Sequence, residues 1–128
     1  MTPLKILHVD DEDDIREVAA FALELDPAVE LRSAASGQAA LSVLEEGFAP
    51  DVILLDVMMP GLDGPGALRL IRQRSEQATT PVIFMTARAQ SGEVDQYRRL
   101  GALDVITKPF DPMILAADVR AILAGAGA

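Results

Sequence analysis

The chain has 128 residues, half of them hydrophobic, with no cysteine and a net charge of −9 from 11 basic and 20 acidic residues. That length suits one domain with a single core and is too short for two ordinary domains. The lack of thiols excludes a disulfide scaffold and a thiolate metal site, and the acidic balance argues against the chain itself gripping a phosphate backbone. No apolar run reaches membrane-spanning length, so no membrane insertion is expected, and the first residues, Met1 to Lys5, lack the layout of a secretory signal.

Along the chain, strand and helix signals alternate. Leu4 to Val9 reads as a strand, and Ile15, Val18, Ala19 and Ala22 follow at i, i+3, i+4 and i+7, one face of an amphipathic helix. Val29 to Arg32 is a short second strand. Ser36 stands at an N-cap position, and Ala39, Ala40, Val43 and Leu44 give the next helical stripe, closed near Gly47. Val52 to Leu55 is the third strand, apolar throughout as a strand buried on both faces would be, and it stops at a carboxylate, Asp56. Met58-Met59-Pro60-Gly61 and Asp63-Gly64 are turn residues, so Asp56 sits where a buried strand surfaces into a loop. Pro65 then opens a helix with Leu68 and Ile71 on its apolar face. Pro81 introduces a fourth strand, Val82 to Met85. A helix over Glu93 to Leu100 stops at Gly101, Leu103 to Ile106 is a fifth strand, and Ile114, Leu115, Val119 and Ile122 mark a last helix from about Asp111. The domain is expected to cover residues 1–124, with 125–128 a flexible C-terminal tail.

Strands that each lead into a helix imply an α/β fold, a parallel sheet with helices on both faces, because parallel strands need right-handed crossovers that lay helices back on the sheet. Ligands of such sheets bind at the carboxyl ends of the strands, beside the point where strand order reverses. Asp10 and Asp11 end strand one, Asp56 strand three, Thr86 strand four and Lys108 strand five, whereas strand two ends without an ionisable residue. With the order 2-1-3-4-5, all of these groups fall into one crevice.

Singly, each has a plainer reading. The run Asp10 to Asp14 suits a helix N-terminus, Asp56 a turn, Thr86 a cap, and Lys108 a solvated surface. Independent capping roles do not require one edge of the sheet, so the joint placement favours a site. Crowded carboxylates repel unless a cation offsets them, and oxygen-only ligands suit a hard ion such as Mg2+. With a lysine and a hydroxyl added, the set fits a phosphoryl group attacked in line by a carboxylate. Asp56, alone on the central strand, is the best candidate nucleophile.

The segments ILHVDDE, PDVILLDVMMPGLDG, PVIFMTA and ITKPF, in that order, resemble the successive motifs of the receiver domain of two-component response regulators, chemotaxis-type proteins included. The resemblance spans nearly the whole chain and implies a flavodoxin-like (βα)5 three-layer sandwich with a five-stranded sheet of order 2-1-3-4-5. It implies that Asp56 accepts a phosphoryl group from a sensor histidine kinase or histidine phosphotransfer protein. It further implies that Asp11, Asp56 and the Met58 backbone carbonyl ligate Mg2+, with Asp10 acting through water, that Thr86 and Lys108 contact the phosphoryl oxygens, and that the Lys108-Pro109 bond is cis. The expected protein is a cytoplasmic signalling switch rather than a turnover enzyme, catalysing its own phosphorylation and slow dephosphorylation. On phosphorylation it would alter the surface of the fourth helix, fifth strand and last helix for a downstream protein target, without binding nucleic acid directly.

Three positions qualify the resemblance. Val105 stands where the family often has an aromatic coupled to the threonine, and Met58 and Arg88 flank the phosphoryl site, where they bear on the access of water. His8, inside strand one, reads as a satisfied structural histidine, and Arg98 and Arg99 as a solvated helix face, with a docking patch as the alternative. A haloacid-dehalogenase-like phosphatase would need a second aspartate two residues after the nucleophile, where this chain has Met58, and neither phosphate-binding glycine motif of nucleotide-binding domains occurs.

Overall fold

The structure, a computed structural model, describes residues 2–127. Five strands, β1 (Leu4–Val9), β2 (Val29–Ala34), β3 (Val52–Asp56), β4 (Val82–Thr86) and β5 (Asp104–Thr107), form one parallel sheet in the order β2-β1-β3-β4-β5. Helices α1 (Asp13–Glu24), α2 (Gly37–Glu45), α3 (Gly64–Arg72), α4 (Ser91–Arg99) and α5 (Leu115–Gly127) make the crossovers, and a 3-10 turn, Ser75–Gln77, follows α3.

The continuous apolar strands are buried on both faces, and their two-residue period divides them between two cores. Leu7, Val9, Ile53, Leu55 and Phe84 point to the side of α2 and α3, where Ala40, Leu44, Leu68 and Ile71 meet them. Ile6, Val52, Leu54, Ile83 and Met85 point to the side of α1 and α5, against Ala19, Leu23, Leu115 and Val119. Fully buried side chains of this size contribute about 2 kcal/mol each.

Local chemistry sets the helix ends. Ser36 caps α2 by accepting a hydrogen bond from the Ala39 amide at 3.0 Å, and Asp63 caps α3 from the Gly66 amide at 2.8 Å. Gly47 and Gly101 follow α2 and α4 with φ of 103° and 114°, the left-handed conformation that ends a helix at least cost in glycine.

Three expectations are corrected. On α1 the buried stripe is Ala19, Ala22 and Leu23, with Ile15 half-buried, while Val18 is 42% exposed. Val18 and Leu23 lie on opposite flanks of the same helical face, and packing against α5 and the sheet selects the Leu23 flank. The last helix starts at Leu115, because Asp111 to Ile114 form a turn in which the Asp111 carboxylate accepts from the Met113 amide, and Ile114 is exposed. β2 runs two residues beyond Arg32, held in register to the end of β1. α5 runs to Gly127, so residues 125–127 are helical, and Ala128 lies outside the described residues.

Candidate functional site

The strand order brings the carboxyl ends of β1, β3, β4 and β5 side by side. Asp10 follows β1 and is fully buried; Asp56 closes β3 and Thr86 closes β4, each 3% exposed. Oxygens of Asp10, Asp11 and Asp56 lie within 4.8 Å of one another, with Asp11 half-buried at the rim. Lys108, beyond β5, reaches back over the sheet. Its Nζ donates to Asp10 Oδ2 at 2.9 Å and lies 3.1 Å from Asp56 Oδ1. The bond from Lys108 to Pro109 is cis, as the resemblance implied.

Asp10 is held at every polar atom. Its amide donates to the Ala34 carbonyl at 3.1 Å, and its carbonyl accepts from Arg16 Nη1 at 2.7 Å. Oδ1 accepts from the Glu12 amide at 2.9 Å, leaving Oδ2 to Lys108. Thr86 Oγ1 accepts from the Arg88 amide at 3.0 Å, so the capping role holds beside any other, and the Thr86 carbonyl accepts from the Lys108 amide at 2.8 Å. Met58 lies in the loop after Asp56 with a side chain 78% exposed. Val105 pairs in register with Phe84 and packs half-buried against the core that contains it, while the Tyr97 ring of α4 meets Phe84 edge-on at 5.2 Å.

Electrostatics separate the partners. Burial raises the Asp56 carboxyl above its ordinary range; Asp10 adds to the rise, while Lys108 and the Met58 amide oppose it. Burial alone would lower the Lys108 ammonium, but the hydrogen bonds and charges of Asp10 and Asp56 outweigh it and the net shift is upward. The lysine therefore stays protonated beside a carboxylate whose charge is costly to bury. A hard divalent ion answers that cost. The donors are all oxygen, close together and acidic, so the residues present fit Mg2+.

His8 is buried inside β1 as expected, but the expectation that its ring is satisfied fails, because neither nitrogen has a hydrogen-bond partner among the described residues. Burial holds it neutral, with a pKa lowered to about 4. Arg98 pairs with Asp104 at 3.0 Å and Arg99 is exposed.

Two residues of the site's frame carry little signal in the sequence. Gly64 opens α3 with its amide donating to the Val57 carbonyl at 2.9 Å, and a Cβ there would stand 2.5 Å from the Asp56 carbonyl oxygen. Only the Asp63-Gly64 dipeptide hinted at a constraint. Arg16, whose guanidinium tethers the β1–α1 turn, reads in sequence as one polar residue among many on a surface helix. Grooves of about 410 and 420 Å³ lie elsewhere, along β5 and α5 beside Ala121 and Ile122. The acids lie apart from both grooves, at the carboxyl edge of the strands, where they form a place for a cation.

Comparison with known proteins agrees with this geometry. Residues 6–120 match the family described as the response regulator receiver domain. The chain is 42% identical over 118 residues to the transcriptional regulatory protein CseB of Streptomyces avermitilis, covering 92% of this chain and 48% of that protein. It is 39% identical to the phosphate regulon transcriptional regulatory protein PhoB of Pseudomonas aeruginosa, covering 95% and 52% respectively. The chain thus spans about half the length of these curated relatives. Among solved structures, the chemotaxis protein CheY4 of Vibrio cholerae superposes with a TM-score of 0.86 at 29% identity, covering 94% of this chain and 99% of that one.

Proposed function

The chain belongs to the response regulator receiver domain family, and on that premise we propose that Asp56 is the phosphoacceptor of a two-component or phosphorelay pathway. The observation that carries this is the buried Asp56 carboxylate at the sheet's switch point, with Lys108 Nζ at 3.1 Å and the Asp10 and Asp11 carboxylates beside it.

In the step itself, an oxygen of the Asp56 carboxylate attacks the phosphorus of a phosphohistidine on a histidine kinase or phosphotransfer protein. The P–O bond forms as the P–N bond breaks, the bonding pair leaves with the imidazole nitrogen, and Asp56 becomes an acyl phosphate. Asp11, Asp56 and the Met58 carbonyl would hold Mg2+ directly and Asp10 through water, which suits an Asp10 whose two oxygens already accept from Glu12 and Lys108. Bound there, Mg2+ would offset the charge of the acids and of the phosphoryl oxygens. Lys108 neutralises a phosphoryl oxygen from the β5 side, and the Thr86 hydroxyl donates to another. The protein acts in this reading as a cytoplasmic switch that catalyses its own phosphorylation and slow dephosphorylation, with no membrane insertion; among the described residues no helix is long and apolar enough to cross a membrane.

The switch follows from Thr86, which closes β4 beside Asp56 and whose hydroxyl can turn its proton toward a new phosphoryl oxygen. A phosphoryl group shifts an equilibrium only by what it contacts differently in the two states. Val105, short and β-branched, follows Thr86 by less than a ring would, so the change travels through the backbone from Thr86 to Ser91 into the α4-β5-α5 surface that binds the downstream protein.

Incubation with acetyl phosphate and Mg2+, read by intact mass, tests the assignment. One hydroxylamine-labile phosphoryl group is expected on the wild type and none on Asp56→Asn; normal labelling of that variant would sink it. Amide shifts with beryllofluoride test the switch. Thr86→Ala should blunt the shifts in α4 and leave Mg2+ binding intact, whereas Val105→Ala should change them little.

A further inference from the structure

We propose that Arg16 is a positioning residue for the metal ligands, setting the direction of Asp11 through the peptide that joins it to Asp10. The inference rests on the Mg2+ reading above. Of the three acids, Asp10 is tied at four atoms and Asp56 is placed by β3 and Lys108. Asp11 is different. It lies in the bend between β1 and α1, half-buried, and its carboxylate makes no hydrogen bond among the described residues. What aims it is therefore its backbone, and the plane of the Asp10-Asp11 peptide is fixed on its carbonyl side by Arg16 Nη1 at 2.7 Å. The amide of that same peptide belongs to Asp11, so rotating it re-aims the Asp11 side chain.

The guanidinium suits the task. Nη1 takes the Asp10 carbonyl and Nη2 the Asp13 carboxylate, so one planar fork spans the turn and the first turn of α1, and the side chain is only 21% exposed. Lysine, a point charge on a flexible stem, cannot hold both acceptors in one plane.

Charge alone makes the opposite prediction. A cation beside a site for a dication repels it, so deleting Arg16 would tighten Mg2+ on Coulombic grounds. Positioning predicts the reverse sign, because groups that orient metal ligands typically alter affinity about tenfold or more.

The test is calorimetric titration of the chelator-stripped protein with Mg2+, comparing wild type, Arg16→Met, Arg16→Lys and Asp13→Asn, with melting midpoints in chelator as the check on folding. The dissociation constant should rise about tenfold in Arg16→Met and nearly as far in Arg16→Lys, and stay within about twofold in Asp13→Asn, which leaves the Nη1 contact in place. The Asp11 and Glu12 amide resonances of metal-free Arg16→Met should shift or broaden while those of β3 do not. A constant in Arg16→Met equal to the wild type's, or tighter, overturns the inference, and so does full recovery in Arg16→Lys, since charge would then suffice. A wild type that binds no Mg2+ overturns the proposed function and this inference together, which separates the two failures.

Discussion

The two ends of the sheet both hold charged side chains against the core, and they resolve the cost in different ways. At the amino-terminal end, Arg72 donates through Nη1 to the carbonyls of Gln77 and Thr80 at 3.0 and 2.7 Å, and through Nη2 to that of Gly101 at 3.2 Å. Beside it, Arg74 Nε donates to Gln77 Oε1 at 2.8 Å. Each guanidinium there meets neutral oxygens: Arg72 takes carbonyls of the 3-10 turn, of the loop before β4 and of Gly101 after α4, and Arg74 takes the Gln77 side-chain amide. At the carboxyl end, three carboxylates crowd one lysine, and Asp56 is raised by its burial. One end is a completed hydrogen-bond network that joins elements; the other holds an excess of negative charge that binding can relieve. The scaffold end spends its polar groups on structure, and the site end keeps them available.

Breaking each end should expose that difference. Lys108→Met leaves buried Asp10 and Asp56 without their cation, and removing one partner of a buried pair typically costs about 3 kcal/mol. Urea unfolding in chelator should show that loss, and Mg2+ should recover part of it. Arg72→Met deprives three carbonyls of a donor at about 2 kcal/mol, and because carbonyls neither titrate nor lack charge balance, this loss should be the same in Mg2+ and in chelator. A Mg2+-dependent Arg72→Met would mean that the two ends are coupled and the contrast is wrong.

Asp56→Asn should move the other way. It removes a carboxylate whose charge burial disfavours, so in chelator the variant should be more stable by roughly 1 kcal/mol, a rise in melting midpoint of about 4 °C for a domain of this size. Mg2+ should shrink that advantage by stabilising the wild type more, since at ten times its dissociation constant a ligand adds about 1.4 kcal/mol.

The floor of the comparison is an exposed pair outside both ends, Arg120 Nε on Asp26 Oδ2 at 2.7 Å, which joins α5 to the turn after α1. The hydrogen bond from Arg120, with that from the Ala28 amide, lowers the Asp26 carboxyl below its ordinary 3.8. A depressed carboxylate contributes stability above its unfolded pKa and loses it as pH falls through the folded value. The small difference in melting midpoint between wild type and Arg120→Gln should thus be constant near neutrality and fade on acidification below about pH 4.

Much of this was legible in the residues. The apolar run Val52 to Leu55, buried throughout, announced a central strand, and Ser36, Gly47 and Gly101 stand at the helix ends where capping chemistry puts them. Asp10, Asp11, Asp56, Thr86 and Lys108 could be placed on one edge from strand order alone, because parallel strands bring all their carboxyl ends to the same side. Other features had only ambiguous signals. Val18 and Leu23 are equally apolar and flank the same face, so periodicity could not choose between them. Asp111 to Ile114 look helical by composition, and an aspartate turn competes successfully with the helix there.

What the sequence determined by itself is the content that depends on local periodicity and turn chemistry: the alternation of strand and helix, the doubly buried strands, and the set of acids and the lysine at strand ends. What only the tertiary structure decided are contacts between residues far apart in the chain or dependent on close approach. Lys108 meets Asp10 across 98 positions, Gly64 makes room for the Asp56 carbonyl where a Cβ would clash, and Arg16 turns inward to the Asp10 carbonyl rather than outward to solvent. Periodicity reports which face a residue occupies and says nothing of which distant atom a long polar side chain will reach; that is set by how the layers pack.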